Sequence, residues 1–206
     1  MTDTDEAPGW DAIDLALNAW YEGITPHHVG YQPPAAFSAN LQGCSAYPAA
    51  DHWHYVTYGL SELYHPGPND DPEWSGWGFE LTFRPARRPD EVQAPGWPFG
   101  VLNQLAKHVN TNKVLLEPGH RIDLGQPITG HPHVPDAPAT GLTVFALTVD
   151  PQLGTIDTPH GKVVLLQAVG VTAQEKAVML ESSTAAVLEE LAARNPLLIT
   201  DPARAS

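Results

Sequence analysis

Hydrophobic and polar positions alternate most clearly between Phe79 and Arg84, where Phe79, Leu81 and Phe83 interleave with Glu80, Thr82 and Arg84. A period of two marks a strand with one buried and one wet face, so the pattern predicts that Glu80, Thr82 and Arg84 meet water. The run from His52 to Leu60 is apolar or aromatic on both sides, with Trp53 and Tyr55 opposed to Val56, Tyr58 and Leu60. It reads as an interior strand. Lys162 to Val171, KVVLLQAVGV, is rich in Val and apolar on both faces, which predicts a second central strand. Thr143 to Val149 adds another, with Val144 and Ala146 opposed to Phe145, Leu147 and Val149. Shorter strands are expected between Thr25 and Pro48, after a turn at Pro118 and Gly119, and around Ile156.

Helical spacing appears in four places. Ile13, Ala16, Leu17, Trp20 and Tyr21 recur at the interval of one helix face, which predicts a helix over Trp10 to Tyr21 with Trp20 turned inward. A helix of about a dozen residues begins near Pro98, with Leu102, Leu105, Ala106 and Val109 on its apolar side. Thr172 followed by Glu175 is a capping box opening a short helix. The last helix begins near Ser183, carries Val187, Leu188 and Leu191 inward, and stops at Asn195 and Pro196. Arg84 to Gly100 and Gly125 to Gly141 are broken by proline and glycine and read as surface loops.

The chain has 206 residues with 21 Pro and 17 Gly, and its 42% hydrophobic content includes six Trp, six Tyr and five Phe. That supplies one well-filled core cut by many turns. The expected architecture is α+β, a mostly antiparallel central sheet with flanking helices, forming a single domain over 1–206 whose ends, 1–8 and 202–206, are frayed. No apolar run approaches the roughly 20 residues that span a bilayer, and the acidic start MTDTDEAPGW is no secretory signal. Cys44 is the one cysteine, which excludes an internal disulfide and fits a reducing, cytoplasmic setting.

Charge changes the picture most. The formal net charge is −14, yet the first Lys or Arg in the chain is Arg84. Residues 1–83 hold 12 acidic side chains and no basic one, while 84–206 hold 12 acidic and 10 basic. Nucleic acid and anionic membranes are thereby disfavoured as ligands, and a basic protein partner is favoured, unless the acidic surface serves solubility alone.

Enzyme signatures are sparse. The chain has no G-x-S-x-G elbow, Walker loop or G-x-G-x-x-G sequence, and the Asp70–Asp71 pair lies in a polar stretch unsuited to shifting a carboxyl pKa. No cofactor is expected. The alternative reading is a metal-dependent hydrolase: His52 and His54 share a strand face, His131 and His133 repeat the spacing in a loop, and His120 offers a further nitrogen. The plainer reading makes His52 and His54 strand residues, one of them hydrogen-bonded in the core. Ser75-Gly76-Trp77-Gly78 suggests a tight bend or bulge, with Trp74 and Trp77 serving either as anchors for a partner or, for Trp77, as core.

HWHYVTYGLSELY, SGWGFELTFR, the helix at Leu105 to Val109, TPHGKVVLLQAVGVTAQE and the closing PLLITD together resemble the Suppressor of fused domain family. The similarity runs in order from about Trp53 to Asp201 and is weaker over the first fifty residues. It implies a mixed α/β sandwich that binds proteins and catalyses nothing. In animal members a second domain follows, and the two clamp an extended peptide of a zinc-finger transcription factor of Hedgehog signalling as an added strand. This chain ends where the first domain would end, which puts that mode of grasping in doubt. By similarity the partner-contacting tyrosine and acidic residue fall at Tyr64 and at Asp70 or Asp71, and Glu73 and Trp74 extend the expected contact surface. Stand-alone bacterial members are associated with toxin systems, which implies an immunity protein that neutralises a toxin; the acidic N-terminal part suits a basic one.

Overall fold

The computed structural model describes residues 6–32, 39–67 and 71–204. Helix α1 (Pro8–Asn18) leads into strands β1 (His27–Gly30), β2 (Gly43–Pro48), β3 (Trp53–Tyr58) and β4 (Trp74–Phe83). Helix α2 (Trp97–Asn112) is followed by β5 (Arg121–Asp123), β6 (Val144–Val149), β7 (Thr155–Thr158), β8 (Gly161–Val171), α3 (Ala173–Glu181) and α4 (Thr184–Arg194). The strands form one eight-stranded sheet in the order β1-β2-β3-β4-β8-β6-β5, with β7 also paired to β8. Only β4 and β8 run parallel; the other pairings are antiparallel. This is the α+β sandwich with a mostly antiparallel sheet that the pattern predicts.

Helices cover both faces. On one side Leu102, Leu105 and Val109 of α2 pack against Tyr55, Leu81, Phe83 and Phe145. On the other, Ile13 and Leu17 of α1 meet Val56, Tyr58 and Leu165. The same side farther along joins Val144, Ala146 and Val169 to Met179, Val187 and Leu188 of α3 and α4. Each such buried aliphatic side chain contributes about 2 kcal/mol. The capping box forms as expected, with Glu175 N donating to Thr172 Oγ1 at 3.1 Å and Thr172 N to Glu175 Oε2 at 2.8 Å.

Two expectations fail. Glu80, Thr82 and Arg84 do not face water; all three are fully buried, because β4 is an interior strand whose second face lies under the α1 side of the molecule. Trp20 does not turn inward, because α1 ends at Asn18 and the chain tightens there into a turn, leaving the indole 52% exposed.

The buried polar face of β4 forms a seam between the two apolar clusters on that side. Arg84 is its centre: Nη1 and Nη2 both donate to the Asp150 carboxylate, Nη1 also donates to Gln167 Oε1 at 2.6 Å, and Nη2 to Gln152 Oε1 at 2.8 Å. Asp150 Oδ1 further accepts from the amides of Gln152 and Leu153 at 2.9 Å, and Oδ2 from Thr82 Oγ1 at 2.8 Å. Burial alone pushes this carboxyl up, but the contacts with His54 and Arg84 outweigh it and hold Asp150 well below the usual carboxylate range. His54 lies across the seam, with Nδ1 3.0 Å from Tyr21 Oη and Nε2 3.2 Å from Asp150 Oδ2, the latter out of line for a hydrogen bond. Burial, with Arg84 alongside, pushes its pKa down to about 4.

Removing one partner strands the other charge in the interior. Arg84→Met or Asp150→Ala is expected to cost about 3–5 kcal/mol in urea unfolding, and Arg84→Met with Asp150→Leu to recover part of that loss. A single-variant loss below about 1 kcal/mol, the range of a surface pair, would contradict this account.

His54 gives a pH signature. Below its ordinary pKa of 6.5 the unfolded chain takes up a proton that the folded chain refuses until about pH 4, so stability is lost as pH falls through that window. The full effect is about 3 kcal/mol. Wild type minus His54→Asn stability is expected to shrink by that order between pH 7 and 4; a constant difference would refute it.

Candidate partner-binding surface

After β3 the chain turns at Gly59–Ser61, and a buried carboxylate holds that corner. Glu80 Oε1 accepts from the amides of Gly59, Leu60 and Ser61 at 2.8, 3.0 and 2.9 Å and from Ser61 Oγ at 2.7 Å, while Oε2 accepts from Thr57 Oγ1 at 2.6 Å. Five donors answer a charge removed from water. Burial raises the Glu80 pKa to about 6 against their pull, which leaves it ionised at pH 7.

The segment beyond the corner is clasped from two further directions. Gly9 N donates to Leu63 O at 3.0 Å, and Ser75 Oγ accepts from Glu62 N at 3.0 Å. Gly76 passes over the corner with φ 57°, and Trp77 N donates to Leu60 O at 2.9 Å; a β-carbon at Gly76 would lie 2.7 Å from that same oxygen. Only glycine suits both the left-handed backbone and the close approach. Gly76 sits within the bulge where the β4–β8 register slips between Trp74 and Phe79. The bend expected at Ser75–Gly78 is therefore present, and the backbone that comes close is the chain's own.

Asp71, Glu73 and Trp74 are brought together at the start of β4. Asp71 is exposed and its Oδ1 accepts from Glu73 N at 2.8 Å. Glu73 is exposed, with Oε1 3.5 Å from Lys162 Nζ, and that ammonium also stands 5.9 Å from the Trp74 ring centroid. Tyr64 is half-buried and packs with the α1 cluster. Asp70 lies outside the described residues. Lys162 is the component that sequence reasoning missed: it is remote in the chain and reaches this surface only through the Trp74↔Lys162 pairing.

Trp74, Trp77, Leu115, Leu116 and Glu117 line a cleft of about 570 Å³ beside these residues. Trp77 is half-buried against the main core and its Nε1 donates to Asn110 Oδ1 at 2.8 Å, so it is part core and part cleft wall.

The histidines are not gathered. His54 is enclosed beside Arg84 and Asp150, His52 is buried against Asp51, and His120 pairs with Glu117 at the surface. Among the described residues no group of three His, Cys, Asp or Glu side chains is arranged to hold a metal ion, so the hydrolase reading of His52, His54, His120, His131 and His133 finds no site. Cys44 is buried, and burial pushes its thiol well above the ordinary range. No helix of the described residues is long and apolar enough to cross a membrane.

Glu80→Ala would leave three adjacent amides without an acceptor. Hydrogen exchange at Gly59, Leu60 and Ser61 is expected to speed up by about tenfold or more in Glu80→Ala and much less in Glu80→Gln, which keeps the shape and one acceptor oxygen. Unchanged exchange in the alanine variant would show that the backbone alone holds the corner.

A sequence model of the Suppressor of fused protein family matches residues 38–205. The human Suppressor of fused homolog is 35% identical over 164 residues, 75% of this chain and 32% of the human protein, so the chain spans about a third of that relative's length. Among solved structures, one of a Sufu–Fu complex is similar at TM-score 0.85 and 27% identity, covering 98% of this chain and 92% of that one. A homolog from Neisseria gonorrhoeae shares the fold at TM-score 0.61 and 15% identity, over 95% of this chain and 94% of its own.

Proposed function

The chain belongs to the Suppressor of fused family, and on that footing we propose that it is a protein-binding module without catalytic activity, holding a partner against Tyr64, Asp70, Asp71, Glu73 and Trp74. The observation that carries this reading is the similarity, over nearly its whole length, to a chain crystallised in a Sufu–Fu complex. The clasped corner supports it as well, since a surface fixed before binding loses less entropy when it is covered.

The partner is a basic protein, and its neutralisation is the function: an immunity protein that sequesters a basic toxin in the cytoplasm. Support comes from the 12 acidic and no basic residues of 1–83. The attraction is long-range and collective, because at close range Lys162 already answers Glu73. Nothing in the geometry favours the hydrolase alternative.

Affinity capture with the tagged chain, followed by titration of the captured partner, tests this reading. Asp71→Arg with Glu73→Arg is expected to weaken binding by at least about tenfold, and wild-type affinity to fall as added salt shortens the Debye length below about 8 Å. Binding indifferent to both changes would sink it.

A further inference from the structure

Residues 1–83 contain no Lys or Arg, yet folding sets a cation among them: the start of β8 brings Lys162 alongside Glu73 and Trp74. The main chain fixes this neighbour. Lys162 N donates to Glu73 O at 2.8 Å, and a β-carbon at Gly161, where φ is 111°, would lie 2.9 Å from both Ser75 N and the Trp74 carbonyl carbon. The side chain is held less firmly. Lys162 Nζ is 3.5 Å from Glu73 Oε1, where a well-made ammonium–carboxylate bond is about 2.7–2.9 Å, and it stands 5.9 Å from the Trp74 ring centroid.

Glu73 and Trp74 thus form a cation seat, a carboxylate beside an indole face, and the chain fills it with its own lysine. That lysine is replaceable, since its side chain is 47% exposed and that of Glu73 62%. An exposed pair of this kind is weak, and an ammonium is a point charge where the seat presents a flat ring and two acceptor oxygens. A guanidinium matches both, with its planar fork on the carboxylate and its face stacked on the indole. The ground beside the seat suits such a group. In the cleft that Trp74 lines, the charged lining residues are the acids Asp71 and Glu117, while Lys113 stands at the other indole, 5.8 Å from the Trp77 ring centroid.

We propose that Lys162 is a placeholder for an arginine of the basic partner, whose guanidinium displaces the ammonium, pairs with the Glu73 carboxylate and lies on the Trp74 ring. Lys162 then sets the specificity of this surface, because a cation enters the seat only by binding it better than lysine does. The inference rests on reading the chain as a protein-binding module, and it goes further in naming arginine as the occupant and in giving Lys162 a competing role.

The probe is a capped leucine–arginine–leucine peptide, with citrulline in place of arginine as the uncharged control, titrated into the full chain and followed by the Trp74 indole resonance. The arginine peptide is expected to bind and the citrulline peptide not to. Lys162→Met is expected to bind the arginine peptide about three- to tenfold more tightly than wild type, and Lys162→Arg about threefold more weakly although it keeps the wild-type charge. Arg194→Met, which removes an exposed paired cation from α4, is expected to leave the affinity unchanged. Equal affinities of Lys162→Met and Arg194→Met would reduce the effect to general charge attraction and overturn the proposal. Equal affinities of Lys162→Arg and wild type, equal binding of the citrulline peptide, or an unmoved Trp74 resonance at about 10 mM peptide would overturn it too. Should Asp71→Arg with Glu73→Arg weaken binding of the captured partner while the Lys162 variants bind it as wild type does, the placeholder role is refuted and the protein-binding reading stands.

Discussion

The ion pair of Arg84 with Asp150 is the constraint on which the rest of the structure depends. Two opposite charges are enclosed on one face of an eight-stranded sheet, and taking them out of water costs several kcal/mol per ion unless their remaining hydrogen-bonding capacity is met. That need recruits partners from distant parts of the chain. Gln167 comes from β8, Gln152 from the turn after β6, His54 from β3 and, behind it, Tyr21 from the turn after α1. Gln167 passes the link on, its Nε2 donating to Leu197 O at 2.9 Å and so fixing the C-terminal segment. The two apolar clusters on this face are thus joined by a polar seam, in which Arg84 Nε and His54 Nε2 are left without a hydrogen-bond partner.

Glu80 applies the same physics two register steps earlier on the same strand face. There the compensating donors are three consecutive backbone amides, so the buried charge shapes a corner of main chain. Arg84 fixes the sheet, and Glu80 carries that rigidity outward to the segment that leads to Tyr64 and, through Ser75 and Gly76, back to Trp74. A surface supported in this way presents its side chains with little ordering left to do when a partner arrives.

Two kinds of electrostatics therefore coexist. The buried charges act over hydrogen-bonding distances, Arg84 and Asp150 on each other and Glu80 on neutral hydroxyl and amide donors. At the surface, among the described residues, the pair of Glu73 with Lys162 at 3.5 Å is exposed and worth about 0–1 kcal/mol. Exposed charges of one sign act together as a field that reaches beyond contact distance.

Sequence alone determined much of this protein. Period-two and helical spacings located the strands and helices, Thr172 and Glu175 announced their capping box, and the order of the motifs identified the family. The absence of cations before Arg84 is equally a property of the chain. Alternation fixes which side chains share a face, but it does not say what covers that face, and the α1 side of the molecule covers Glu80, Thr82 and Arg84. Helical spacing likewise placed Trp20 inward, and only the stop of α1 at Asn18 exposed it. Asp150, Gln167 and Lys162 could not be assigned to their sites, because their partners lie far away in sequence and meet them only through strand pairing. Local periodicity is a property of neighbours along the chain; burial, ion pairing and the composition of a surface are decided by segments the chain brings together only when it folds.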